Sequence, residues 1–190
     1  MSSKRNSGPD DLLLDAARDC VLAVGLRRTT LTDVARRAGV SRMTMYRRWP
    51  DMGSLIGDLM TREWSTLAQV SADAAVGSTA RERLVDGIVR GVAALRTHPV
   101  FRRIVEVDPE ILLPYLVDRR GTSQDHILDQ FMSSFVDDGS LRAGDPALLA
   151  RTALLTTHGF VLSAATMTDV VSLAALDDEL RLLLDRYLAP

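Results

Sequence analysis

Apolar side chains recur at three- and four-residue spacings along almost the whole of this 190-residue chain. No segment alternates apolar and polar positions as a half-buried strand does, so the pattern predicts an all-α protein of roughly nine or ten helices. Leu13, Ala16, Ala17, Cys20, Val21 and Val24 draw the first stripe, which Gly25 closes. Thr30, with Asp33 three residues on, predicts the start of a short second helix in which Asp takes the acceptor role usual for Glu. Gly39 interrupts that helix, and Ser41 starts a third of about two turns, running to Trp49 and stopped by Pro50. Leu55, Ile56, Leu59, Met60, Trp64, Leu67 and Val70 predict a long amphipathic helix. Thr79 and Glu82 form a capping box for another, ending near His98 and Pro99. Pro99, Pro109 and Pro114 then cut the chain into short pieces, and a helix is expected over 123–136 with a turn at 137–140. Asp145-Pro146 is a strong start signal, and the last helix is expected over about 172–188. Residues 1–9 are small, polar and unpatterned, as in a disordered arm.

The stretch from Leu31 to Pro50, LTDVARRAGVSRMTMYRRWP, carries the chemistry. Two short helices joined by a tight glycine turn are a helix-turn-helix. Ala35 is small where the two helices cross, and Gly39 can take the left-handed conformation without a Cβ clash. Val34, Ala38, Val40 and Met45 supply the apolar contacts. Left on the outer face of the second helix of the pair are Arg42, Met43, Thr44, Tyr46, Arg47 and Arg48, a basic and polar surface suited to a major groove. Charge sharpens this reading. The net charge of −2 conceals an asymmetry: residues 1–50 carry ten Lys/Arg against five Asp, leaving +5, and the rest carry 13 against 20, leaving −7. A solvated surface hairpin is the plain alternative, but the small residue, turn glycine, two caps and basic face occur together within twenty residues.

The segment from Asp11 to Met60 resembles the DNA-binding head of the TetR family of transcriptional regulators. The matching residues are Gly25, Thr29-Thr30, Val34-Ala35, Ala38-Gly39-Val40-Ser41, Thr44-Met45-Tyr46 and Trp49, about the first third of the chain. Further on, only Asp138-Gly139 and Gly144-Asp145-Pro146 echo the family. The resemblance implies that Arg42, Met43 and Thr44 face base edges, with Arg42 the candidate for a bidentate guanine contact. It implies phosphate contacts from Tyr46 and Arg48 and backbone contacts from Thr30 and Thr32, with Arg47 able to serve either way. One departure stands out: where the family carries a phosphate-binding lysine this chain has Met52, and Gly53 replaces a good helix former.

The implied architecture is a three-helix head (10–51) on a larger helical body for effector binding and dimerisation (52–190). A head this small reads few base pairs, so a two-fold operator and two heads are expected. From Pro146 to Met167 the only charged residue is Arg151, and a helix apolar nearly all round must bury more than one face. Ala150, Ala153, Gly159, Ala164 and Ala165 are expected to allow close approach of a partner, with Leu176, Leu180, Leu183 and Leu184 completing a homodimer interface through the last two helices. Regulators of this architecture release DNA when a small molecule binds the body. Candidate lining residues are Phe101, Leu112, Tyr115, Phe131, Phe135 and His158, with Trp64 and Met132 behind them. Core packing is the more common reason for aromatics at such spacing, and a satisfied core histidine explains His158 at least as well; an apolar or amphipathic effector is the expectation.

Other classes are disfavoured. One cysteine excludes a disulfide framework and multi-cysteine zinc modules, and His98, His126 and His158 are too far apart to share a helix turn, so no metal or cofactor is expected. Cys20 lies on the buried stripe of the first helix, and Asp137-Asp138 and Asp177-Asp178 lie where capping suits them better than catalysis. No phosphate-cradling loop or nucleophile elbow occurs, so no enzyme is expected. No run of about 18 apolar residues predicts a membrane span, and the N-terminus lacks the apolar core of a signal peptide, so a cytoplasmic protein is expected. The sequence therefore predicts a ligand-responsive DNA-binding regulator, most readily a repressor. A helical small-molecule sensor or carrier with weakened DNA binding is the alternative, and Met52 is its support.

Overall fold

The computed structural model describes residues 9–113, 125, 127–129 and 138–190. Among them all regular structure is helical: eight α-helices and two 3-10 turns, with no strand. In chain order the helices are α1 (Pro9–Val24), α2 (Leu31–Ala38), α3 (Arg42–Arg48), α4 (Met52–Asp73), α5 (Ala80–Thr97), α6 (Pro99–Val107), α7 (Pro146–Leu162) and α8 (Leu173–Leu188). The 3-10 turns are Pro109–Leu112 and Ala164–Met167. The residues gather into two compact units, Met1–Glu63 with Pro99–Thr122, and Trp64–His98 with Ser123–Pro190. The division falls inside α4.

In the first unit α1 starts at Pro9, one residue earlier than the pattern predicts; proline suits a helix start because its missing N–H would be unpaired there anyway. Leu13, Ala16, Ala17, Cys20 and Val21 are buried as expected, and only Val24 at the end of the stripe is exposed. Leu31, Val34 and Ala35 of α2 and Met45 of α3 join this core. Trp49, which the pattern puts at the end of the third helix, is its C-cap instead, in an extended conformation. The reason is Pro50, whose ring disfavours helical geometry at the preceding residue. The indole is 2% exposed, and its N–H donates to Asp58 at 2.8 Å. The Asp51 carboxylate accepts the Ser54 N–H at 2.7 Å, a cap that lets α4 begin despite Gly53. Leu55, Ile56, Leu59 and Met60 of α4 and Val100, Phe101 and Ile104 of α6 are also buried. Arg62 pairs with Asp15 and Glu63, both at 2.9 Å, while Glu63 pairs with Arg18 at 3.1 Å, so α4 and α1 are joined by charge as well as by packing.

The second unit is built on α5, α7 and α8. The expected capping box opens α5: Thr79 accepts the Glu82 N–H, and Glu82 accepts the Thr79 N–H at 3.2 Å. Leu84, Val85, Ile88, Val89 and Val92 of α5 pack with Leu149 and Ala153 of α7 and with Leu180, Leu184 and Leu188 of α8. Each valine, leucine or isoleucine so buried contributes about 1.5–3 kcal/mol. Two expectations need correction here. Ala150, Ala153 and Ala164 are buried in their own subunit, and only Gly159 and Ala165 of the small residues are exposed. Leu180 and Leu184, with Leu188, repeat every four residues and form the inner stripe of α8, while Leu176 is half-buried and Leu183 alone of the four is exposed. Outward on α7 are Leu148 and Leu155, 60% and 70% exposed.

Three acids, of which only Asp86 is buried, brace this unit. Asp86 accepts the Val76 N–H at 2.9 Å and pairs with Arg90 at 2.6 Å and Arg181 at 2.8 Å. Burial alone would raise its carboxyl, but these bonds together hold it below the usual carboxylate range. Asp177 does not cap a helix as the sequence suggests; it pairs with Arg96 of α5 at 2.5 Å. Asp138 does act as a cap, accepting the Ala80 N–H of α5 at 2.7 Å. Its carboxyl is held down to about 2 by the Ser140 hydroxyl and by the Ala80 and Ser140 N–H groups.

Candidate nucleic-acid interface

Local hydrogen bonds determine where α3 points. Thr30 caps α2, its hydroxyl accepting the Asp33 N–H at 3.1 Å and donating to the Asp33 carboxylate at 2.5 Å. The Thr30 hydroxyl first, with Arg36 and the Thr30 N–H, keeps the Asp33 carboxyl below its ordinary range against a small opposing effect of burial. At the other end of α2, Gly39 has φ +69°. Its N–H reaches Arg36 O, and the Val40 N–H reaches Ala35 O at 3.0 Å, the paired closure that ends a helix through a left-handed residue. Ser41 then caps α3 by accepting the Thr44 N–H at 3.1 Å. With Met45 fully buried and Trp49 locked below it, α3 has one face in the core and one outside.

The outer face is the predicted one. Arg42, Arg47 and Arg48 are exposed, and so are Met43 at 75% and Tyr46 at 50%. Arg42 and Arg47 pair with no acid among the described residues. Arg48 does: its guanidinium meets Asp10 at the start of α1. Thr44 is half-buried, and its hydroxyl lies 2.9 Å from that of Ser41. Thr30 is exposed and Thr32 half-buried at the start of α2. Met52 is half-buried in the first turn of α4, where the lysine of the family pattern would stand.

The candidate effector residues are only partly described. Tyr115, Phe131 and Phe135 lie outside the described residues, as do Met132, His126 and the helix expected over 123–136. Phe101 is a core residue of the first unit, and Leu112 is half-buried in the 3-10 turn of that unit. His158 belongs to the second unit, half-buried on α7, and burial lowers the pKa of its imidazole. Trp64 and His98 meet edge to face with ring centroids 5.1 Å apart.

Several residues that organise the interface have no role assigned by the sequence pattern. Thr29 is buried and donates its hydroxyl to Gly25 O at 2.7 Å, closing the turn between α1 and α2. Asp58 anchors Trp49. Asp51 caps α4, and the Asp-x-x-Ser spacing of Asp51 and Ser54 is a signal that would have found it. Asp108 accepts backbone N–H groups from the α1–α2 turn, 82 residues away at Leu26, which no local pattern reveals. Cys20 is buried as expected, and burial pushes its thiol up, the opposite of what a nucleophile needs. No group of three metal-ligating side chains occurs among the described residues, and none of their helices is long and apolar enough to cross a membrane.

A capped helix pair presenting a basic outer helix is the hallmark of a helix-turn-helix DNA-binding protein. The family model for bacterial regulatory proteins of the tetR family matches residues 13–59, from the stripe of α1 into α4. An HTH-type transcriptional regulator of Mycobacterium tuberculosis (strain CDC 1551 / Oshkosh) is 35% identical over 179 residues, covering 93% of this chain and 92% of that protein. Among solved structures, the TetR family repressor AlkX from Dietzia sp. matches with a TM-score of 0.72 over 95% of both chains at 18% identity. The repressor QsdR of R. erythropolis matches with a TM-score of 0.70 at 18% identity, covering 92% of this chain and 93% of that one. These two likenesses speak for the fold. The chain belongs to the TetR family: it is a helix-turn-helix transcriptional regulator, not an enzyme.

Proposed function

We propose that this regulator is a cytoplasmic repressor that binds a palindromic operator as a homodimer and releases it when a small molecule occupies the body. The observation that carries the DNA half is the exposed outer face of α3, where a methionine and a tyrosine stand in solvent beside Arg42 and Arg47. In this reading 10–51 is the functional head and 52–190 the effector and dimer body. Arg42, Met43 and Thr44 meet base edges, Tyr46 and Arg48 meet phosphates, Arg47 serves either, and Thr30 and Thr32 meet the sugar–phosphate backbone at the start of α2. The Thr30 hydroxyl already serves the cap of α2 through its proton and one lone pair, which leaves its second lone pair for DNA, while Thr44, whose hydroxyl shares one hydrogen bond with Ser41, keeps its methyl and its remaining hydroxyl capacity. Arg48 meets Asp10 through one terminal nitrogen, and its remaining N–H groups are the donors left for phosphate.

The exposed Leu148 and Leu155 of α7, with Leu182 and Leu183 of α8, support dimerisation through these two helices, since a lone subunit would leave these leucines in water. For the effector, Phe101, Leu112, Tyr115, Phe131, Phe135 and His158 remain the proposed lining. His158, its pKa lowered by burial, offers such a molecule a neutral imidazole at pH 7. Met52 in place of a phosphate-binding lysine favours one second reading, a sensor or carrier with weakened DNA binding. Selection from a random-sequence duplex pool, followed by light scattering of the selected complex, separates the two. An inverted repeat bound by two protomers supports the repressor. Recovery of no sequence, with a stable apo dimer, would leave the carrier.

A further inference from the structure

The α1–α2 turn, residues 25–29, is held from outside by the chain that follows α6. Asp108, just past that helix, is 3% exposed, although a buried carboxylate is expensive unless donors meet it. Its donors among the described residues are backbone N–H groups of the turn: Leu26 at 2.7 Å and Arg27 at 3.4 Å. Gly25 beside them is required twice over. Its φ is +88°, and a Cβ there would stand 3.0 Å from the Asp108 carboxylate and 3.0 Å from the Val107 side chain. The Arg27–Glu110 ion pair at 2.7 Å bridges the same segments, and beside it Arg103 of α6 donates to Ala23 O of α1 at 3.4 Å. On its inner side the turn is closed by the buried Thr29 hydroxyl, and the next residue is Thr30, the cap that decides where α2 begins.

We propose that Asp108 is a positioning residue for operator reading: its carboxylate fixes the α1–α2 turn, hence the start of α2 and the direction in which α3 presents Arg42 and Tyr46. The proposal rests on the operator-binding reading above. Its chemistry is specific. Both N–H groups reach one oxygen, Oδ2, so an Asn carbonyl oxygen with its two lone pairs can take the same bonds, and Ala can accept neither. Two heads of a dimer must match half-sites about one helical turn apart, so slack at this turn appears as loss of spacing preference as well as loss of affinity.

The test uses the full chain and a fluorescein-labelled duplex bearing the palindrome that the wild type selects, with two versions whose centre is longer or shorter by one base pair. Well below its melting temperature, Asp108→Ala is expected to bind the matched duplex at least ten-fold more weakly and to lose most of its preference for the matched spacing. Asp108→Asn should retain both. Hydrogen exchange at the Leu26 and Arg27 amides should be faster in the Ala variant and close to wild type in the Asn variant. If Asp108→Ala does not fold, Gly25→Ala, which drives a Cβ at the same carboxylate, should reproduce its pattern. Binding and spacing preference equal to wild type, or a loss that only tracks the unfolded fraction, would overturn the assignment, as would unchanged exchange at Leu26. A wild type that selects no duplex sinks the operator reading and this one with it; a wild type and an Asp108→Ala variant that bind alike sink this one alone.

Discussion

The two units of this regulator leave opposite kinds of surface in water. The first exposes the basic face of α3, where Arg42, Arg47 and Arg48 stand with Met43 and Tyr46, whereas the second exposes Leu148 and Leu155 on α7 and Leu182 and Leu183 on α8. The three arginines of that face suit an anionic partner. The exposed apolar stripe of the second unit calls for a surface of its own kind. The contrast teaches that the two proposed activities draw on different physics: reading DNA on capped backbone geometry and charge, dimerisation on apolar area.

That division can be broken from either side. Trp49→Ala removes the buried indole beneath α3 and its bond to Asp58, and should cost about 3–5 kcal/mol of stability. In calorimetry and sedimentation the variant should lose head stability and DNA binding while remaining a dimer; loss of both together would mean that the two surfaces are not independent. Leu155→Asp puts an unpaired charge on the apolar stripe of α7, and a buried, uncompensated charge costs about 3–5 kcal/mol. Sedimentation velocity at micromolar concentration should find monomers of unchanged helicity. A variant that stays dimeric would remove α7 from the proposed interface.

Two smaller changes sharpen the contrast. Arg42→Ala should weaken specific binding by about 1–3 kcal/mol and relax preference at one base pair per half-site. An equal loss on all sequences would give Arg42 to phosphate instead, the pattern expected of Tyr46→Phe. The smallest effect concerns pH. The folded-state pKa of Asp138 is depressed to about 2, so its stabilising contribution is present in full above the ordinary Asp value near ~3.9 and is lost as pH falls towards the folded one. Melting temperature should therefore fall more between those values in the wild type than in Asp138→Asn; identical slopes would mean that the cap on α5 is not made in solution.

What could be read beforehand follows from how far each signal reaches along the chain. Thr30, Gly39, Ser41, Thr79 and Asp145 act on N–H groups or turns within a few residues of themselves, so the helices they start or end were legible. Trp49 shifted from helix to cap through its neighbour Pro50, an effect one residue long that was underweighted. On α7 the limit is different in kind. A helix apolar nearly all round does not declare which face meets its own subunit, and Ala150, Ala153, Leu180 and Leu184 therefore changed sides between expectation and structure. Asp108 was illegible for a third reason, because its partners stand 82 and 81 residues away. Of the site, the exposed arginines, Met43 and Tyr46 of α3 were legible because a 3.6-residue period separates them from the buried Met45.

The central claim, that α3 reads DNA on behalf of a two-headed repressor, is tested most directly by fluorescence anisotropy of the purified protein on the intergenic DNA upstream of its own gene, across a salt series. The account predicts saturable binding at nanomolar concentration, two protomers per site and a steep loss of affinity with salt. Weak binding that ignores sequence, with no fixed stoichiometry, would contradict it.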